Sequence, residues 1–183
     1  MKNLSIARRY AKALLLIGKE DGQAETYREE LDGLARLMTS EPDLGRAINN
    51  PLYNAADRRQ VLEAVVQKLN LSKVMQSFLF LLFEKGRFGF LESVNDFYQK
   101  LADDLKGIAR ASLVSATELG DDTVDKIRVA LSQRTGKDII LEVKQDPELI
   151  GGIVTQIGDL VLDGSIKTQL VNMRESLKRG ESV

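Results

Sequence analysis

The sequence contains no cysteine, no histidine and no tryptophan. Without cysteine there is no disulfide, no thiol chemistry and no thiolate metal site. Without histidine the commonest general base and the commonest transition-metal ligand are both missing. A surplus of either charge is missing too. Lys+Arg total 26 against 27 Asp+Glu, a formal net charge of −1, which argues against a nucleic-acid ligand. Long apolar runs are absent: the longest extends from Phe78 to Phe83, far short of the roughly 20 residues a membrane helix needs. The N-terminus has basic residues before apolar ones, as a signal peptide does. Its charges, however, are interleaved at helical spacing and no small-residue cleavage site follows, so a mature helix is expected. No cofactor, no metal and no direct membrane insertion are expected.

What remains is 43% hydrophobic over 183 residues, enough for one large domain or two small ones. Residues 3–19 read as a helix with two adjacent apolar stripes. Leu4, Ala7, Ala11, Leu14 and Leu15 make the first; Ile6, Tyr10, Ala13 and Ile17 make the second. Arg8, Arg9 and Lys12 share the remaining side. The apolar arc spans about 200°, roughly twice what a surface helix needs. Either the helix is central in its own bundle, or one stripe faces the core and the other a partner. Residues 21–39 make a second helix that Glu41-Pro42 interrupts, and Leu44, Ala47 and Ile48 suggest a short third. A fourth runs from Ala55 to about Leu69, with Asn54 as its cap. Residues 72–86 are framed by Ser72 and Gly86 and are apolar on nearly every side. Val74, Phe78 and Leu81 form one stripe and Met75, Leu79 and Leu82 another, with Phe80 and Phe83 off both. A buried central helix is the bland reading. Residues 88–106 give a sixth helix.

The pattern changes at Lys106-Gly107, which places a hinge there. Ile108 to Ala116 alternates like a strand, Asp121 to Gln133 is helical, and Asp138 to Lys144 alternates again. The stretch from Asp146 to Thr168, DPELIGGIVTQIGDLVLDGSIKT, carries four turn signals. Gly158-Asp159 between two apolar runs is a two-residue hairpin signal of type II′, and Ser165 is placed to cap a helix. The glycines suggest a phosphate loop, but neither G-x-G-x-x-G nor G-x-x-x-x-G-K-[ST] occurs. Ser165 to Arg179 then places Ile166, Leu170, Met173 and Leu177 at spacings of four, three and four, a narrow a/d-like seam. The expected fold class is α+β: an N-terminal six-helix bundle, residues 1–106, followed by a small α+β domain, residues 107–183, with a short sheet and a final helix.

Carboxylate pairs occur at Glu29-Glu30, Asp103-Asp104 and Asp121-Asp122. Each falls on a polar helix face or at a helix start, where acidic residues are favoured without any chemistry. Lys178-Arg179 complements a helix C-terminus. No catalytic residue is expected.

The residues that match a known family are Ala7-Arg8-Arg9-Tyr10-Ala11-Lys12-Ala13-Leu14, Asn50-Pro51, Phe78-Leu79 with Leu81-Leu82, Gly86-Arg87, Ser115-Ala116, Arg134-Thr135-Gly136-Lys137 and, most specifically, Asp146-Pro147, Leu149-Ile150-Gly151-Gly152, Gly158-Asp159 and Asp163-Gly164-Ser165. In this order and spacing the chain resembles the delta subunit of bacterial-type rotary ATP synthases, related to the mitochondrial oligomycin-sensitivity-conferring protein. The resemblance implies a non-catalytic stator role in ATP synthesis and proton transport. It implies that the first domain binds the amphipathic N-terminal helix of an alpha subunit in a groove between helices one and five. It also implies that the second domain holds the C-terminal ends of the peripheral-stalk b subunits. The expected groove lining is Ile6, Tyr10, Ala13, Ile17, Val74, Phe78 and Leu81, and the expected b contacts are Ile166, Leu170, Met173 and Leu177. The implied location is the cytoplasmic face of a bacterial inner membrane or, alternatively, the stromal side of a thylakoid. A helical adaptor using the same groove for another peptide is the rival reading. A carboxylate- or lysine-based hydrolase, which predicts a pocket of converging ionisable groups, ranks after it.

Overall fold

The computed structural model describes residues 4–147, 149–158 and 160–180, with side chains through residue 178. Asp159 and the side chain of Arg179, both singled out in the sequence, therefore lie outside the described residues. The chain divides into two compact units, residues 1–103 and 104–183. The class is α+β: among the described residues there are eight α-helices, one 3-10 turn and a four-stranded mixed sheet.

The first unit holds α1 (Leu4–Glu20), α2 (Ala24–Ser40), α3 (Pro42–Asn49), α4 (Ala55–Lys68), α5 (Lys73–Glu84), a 3-10 turn (Phe88–Phe90) and α6 (Leu91–Leu105), whose last turn crosses into the second unit. Helix starts follow their caps. Asn54 accepts from the Ala56 N–H at 3.2 Å, and Ser72 accepts from the Met75 N–H at 3.4 Å. The Glu30 carboxylate on α2 then accepts both the Ser72 N–H and its hydroxyl at 2.7 Å, which ties the start of α5 to α2. Three boundaries differ from the sequence reading. Gly22 adopts φ 72 and delays α2 to Ala24. Pro42 does not merely interrupt; it occupies the first turn of α3, where its missing N–H costs nothing. Residues 88–90 tighten into a 3-10 turn, so α6 begins at Leu91.

One core joins these helices. Ala7, Ala11, Leu14 and Leu15 of α1 meet Tyr27, Leu31 and Leu34 of α2, and Met75, Leu79 and Leu82 of α5 are fully enclosed with them. A polar seam fastens α6 to α2. Arg28 reaches Asp103 at 2.8 Å and also donates to Gln99, with both members of the ion pair nearly buried. The Tyr98 hydroxyl donates to the Ala24 carbonyl at 2.8 Å. Tyr27 donates to the Asp21 carboxylate, and that bond, with burial, pushes its phenol up to about 12. Burial raises Tyr98 as well.

The second unit holds β1 (Ile108–Ser115), α7 (Asp121–Thr135), β2 (Asp138–Gln145), β3 (Ile153–Ile157), β4 (Leu160–Asp163) and α8 (Ile166–Gly180). The sheet order is β2-β1-β3-β4. β1 and β2 are parallel through the α7 crossover; the other two pairs are antiparallel. The register places Ala109, Ala111 and Leu113 beside Ile139, Leu141 and Val143 on one face. α7 supplies Leu131 and Ile127 to the small core built on that face. Gly136 ends α7 at φ 68 as a left-handed cap. Gly158 takes φ 57 and Ile157 pairs with Leu160, as a two-residue primed hairpin requires.

Two helical glycines make opposite predictions. A Cβ on Gly18 would sit 2.9 Å from the Ala24 Cα and 3.1 Å from the Tyr27 ring, whereas one on Gly33 would meet nothing within 4 Å. Gly18→Ala is expected to lower stability by about 1–3 kcal/mol through overpacking. Gly33→Ala is expected to raise it by about 0.5–1 kcal/mol through helix propensity. Denaturant melts of the two variants check this, and equal shifts would show that close α1–α2 approach does not matter.

Candidate functional site

α1 and α5 meet through one well-defined contact. The rings of Tyr10 and Phe78 lie 6.1 Å apart at 70°, an edge-to-face pair. Arg87, just beyond α5, donates to the Tyr10 hydroxyl at 2.7 Å and places its guanidinium 5.6 Å from the ring centre. Tyr10 is thereby held from two sides. Ile6, Ala13 and Ile17 share its stripe on α1; Val74 and Leu81 share that of Phe78 on α5. The seven residues differ in burial. Phe78 is only 8% exposed and belongs to the core. Ile6, Tyr10 and Val74 are half-buried, and Ala13 is exposed. Ile17 and Leu81 are 43% and 41% exposed. The surface is thus a floor of aromatic rings with aliphatic side chains standing open around it.

The excess apolar surface of α5 has three destinations. Met75, Phe78, Leu79 and Leu82 go to the core. Phe80 and Phe83, which fitted neither stripe, lie under the guanidinium groups of Arg59 and Arg58 at 5.5 and 5.3 Å. Leu81 is left to solvent. The arginine cover was not read from the sequence, although Arg58-Arg59 at the start of α4 was its available signal. Leu4, at the end of the first stripe, and Leu16, which the stripes omitted, add further open apolar surface on α1.

In the second unit the expected seam is open along its whole length. Exposure rises from 41% at Ile166 through Leu170 and Met173 to 66% at Leu177, and Val171, which the seam did not include, is exposed as well. From Ile166 to Lys178 every side chain except Thr168 is exposed.

The carboxylate pairs find structural employment. Asp103 is held by Arg28, Glu30 by Ser72, and Asp121 and Asp122 sit in the first turn of α7. Among the described residues no group of acidic side chains could hold a metal ion. A cavity of about 320 Å³ between α2, α3 and the start of α6 has Glu92 as its one ionisable lining residue. Among the described residues no helix is long and apolar enough to cross a membrane.

Known proteins resemble this chain over nearly its whole length. Residues 6–177 match the family model described as ATP synthase delta (OSCP) subunit. The chain is 61% identical over 183 residues to ATP synthase subunit delta of Desulfatibacillum aliphaticivorans, covering 100% of both chains. It is 60% identical to that of Desulfosudis oleivorans, again over 100% of both. At 40% identity it matches the subunit delta of Geotalea uraniireducens over 98% of this chain and 100% of that one. It shares its fold with a chain in the cryo-EM structure of the Toxoplasma gondii mitochondrial ATP synthase hexamer. The TM-score is 0.71 at 21% identity, covering 93% of this chain and 96% of that chain. The chain belongs to the ATP synthase delta (OSCP) subunit family, an accessory subunit of the enzyme rather than its catalytic one.

Proposed function

We propose that this chain is a stator subunit that ties the catalytic head of the ATP synthase to its peripheral stalk. The α1–α5 surface of the N-terminal domain, residues 1–106, takes up the amphipathic N-terminal helix of an alpha subunit. The seam of α8, in the C-terminal domain of residues 107–183, holds the C-terminal ends of the b subunits. Held at both ends, the chain keeps the head from turning with the rotor, so that proton flow is coupled to ATP synthesis. Its place is then peripheral, at the cytoplasmic face of a bacterial inner membrane. One observation carries the reading: apolar residues at helical spacing stay exposed on the α1–α5 pair and on α8, and helix-in-groove recognition uses such i, i+3, i+4 anchors.

Burial decides which residues supply affinity. Phe78 is already enclosed, so a partner gains little new area from it. Ile17 and Leu81, with the half-buried Ile6 and Val74, are the side chains with area left to give. Burying a large apolar side chain fully contributes about 1.5–3 kcal/mol, and nanomolar affinity needs about 12 kcal/mol net. Several anchors must therefore act together, with Tyr10 and Phe78 as a preformed floor.

Ile17→Asp and Leu81→Asp are expected to leave the melting temperature nearly unchanged and to weaken binding of an alpha N-terminal peptide about tenfold or more each, at 1.4 kcal/mol per decade. Titration calorimetry on the full chain measures this; unchanged affinity in both variants removes the groove from this surface. Leu170→Asp and Met173→Asp are expected to abolish capture of the b subunits while sparing the alpha peptide. Cutting the chain before Ser165 should act in the same way. Retention of b by all three would place that contact on another element.

A further inference from the structure

α8 begins at a joint built more tightly than anything along the rest of its length. Gly152 has φ 86, and a Cβ there would lie 2.4 Å from the Gly164 carbonyl oxygen and 2.9 Å from the Ser165 Cα. Two backbone bonds cross the same gap: the Gly164 N–H donates to the Ile153 carbonyl at 2.9 Å, and the Ile166 N–H to the Gly151 carbonyl at 3.0 Å. Asp163, the last residue of β4, uses both carboxylate oxygens on the helix start. Oδ1 accepts from the Ser165 N–H at 2.8 Å and Oδ2 from the Thr168 hydroxyl at 2.7 Å. The Ser165 hydroxyl accepts from the Thr168 N–H at 3.3 Å as the helix cap. Strand and helix are thus locked on three sides within a few residues. Beyond Thr168 the described side chains of the helix are exposed.

We infer that Gly152, Asp163 and Thr168 are positioning residues that fix the direction in which α8 leaves the sheet, so that its seam is presented to a partner helix in one orientation. This rests on the stalk-binding reading of α8. The physical case is one of preorganisation. A bare helix on a loose tether would sample many directions, and each partner would bind only the competent fraction. A carboxylate bonded to a neighbouring hydroxyl and a backbone N–H, with a glycine where any side chain would collide, restricts those directions before the partner arrives. Donation from Thr168, then from Ser165, holds the Asp163 carboxyl below the usual carboxylate range, so both oxygens stay ionised acceptors. The glycine pair of the Asp146–Thr168 stretch is thereby given a mechanical role: it lets the β3 strand run against the joint closely enough to brace it.

The chain has no native cysteine, so Lys126→Cys and Asn172→Cys introduce two unique spin-label sites, on α7 and α8. Pulsed electron paramagnetic resonance on the full chain then reads the spread of distances between them without any partner. A narrow distribution is expected for the parent and for Gly158→Ala, which strains a left-handed glycine (φ 57) in open space. A broad one is expected for Gly152→Ala and Thr168→Val, with recovery in Thr168→Ser. If the competent direction falls to about a tenth of the population, affinity for a synthetic b C-terminal peptide falls about tenfold. A narrow distribution in both Gly152→Ala and Thr168→Val overturns the joint. A broad one with undiminished peptide affinity overturns its positioning role, provided that Leu170→Asp does weaken the peptide. If Leu170→Asp has no effect, the stalk reading of the seam fails, while the distances still decide the joint.

Discussion

A helix in a small domain can bury one stripe in its own core, and α5 carries apolar residues on three. That surplus is the constraint from which the first unit follows. The core takes Met75, Phe78, Leu79 and Leu82. Two arginines of α4 roof Phe80 and Phe83, using the attraction between a guanidinium and an aromatic face. The remainder stays at the surface beside the second stripe of α1, with Tyr10 and Phe78 locked edge to face between the two helices. Loss of the Arg87 guanidinium or of the arginine roof would disturb this surface without changing the apolar residues that form it.

The second unit answers a different constraint. Few of its residues are fully buried, and its core rests on α7 packed against one sheet face. The described side chains of its final helix are almost all exposed, and its first turn is tied to the end of β4. An isolated helix of this length is marginal in water, so the cap at Ser165 and the carboxylate of Asp163 matter more here than on a helix with a buried face. Stiffness at the joint and openness along the seam are complementary properties: the one directs the helix, the other leaves it free to pack on something else.

Much of this was legible in the sequence where chemistry is local. Ser72 and Asn54 announced helix starts because a cap needs only its own few residues. The alternation of β1 and the Gly158 hairpin followed from a period of two and a primed turn. The apolar stripes of α1, α5 and α8 were visible from spacing. What could not be read was set by distant parts of the chain. Gly22 delayed α2 because it went left-handed, and no pattern of neighbours dictates that. Phe78 sits on the groove stripe yet is enclosed, since its burial depends on partners such as Tyr10 that the fold brings to it. The partnership of Arg58 and Arg59 with the phenylalanines of α5, and of Asp163 with Thr168 across the end of a strand, required the fold to bring the groups together.

The central claim is that one chain holds head and stalk at once. The direct measurement is reconstitution of stalk-bearing membranes stripped of both the head and this subunit, with purified head added back and ATP-driven proton pumping recorded as the full chain is titrated in. The account predicts that pumping returns in proportion to the chain bound and saturates when each stalk carries one. Equal pumping without the chain, or a head that rebinds through it yet hydrolyses ATP without moving protons, would contradict a stator role.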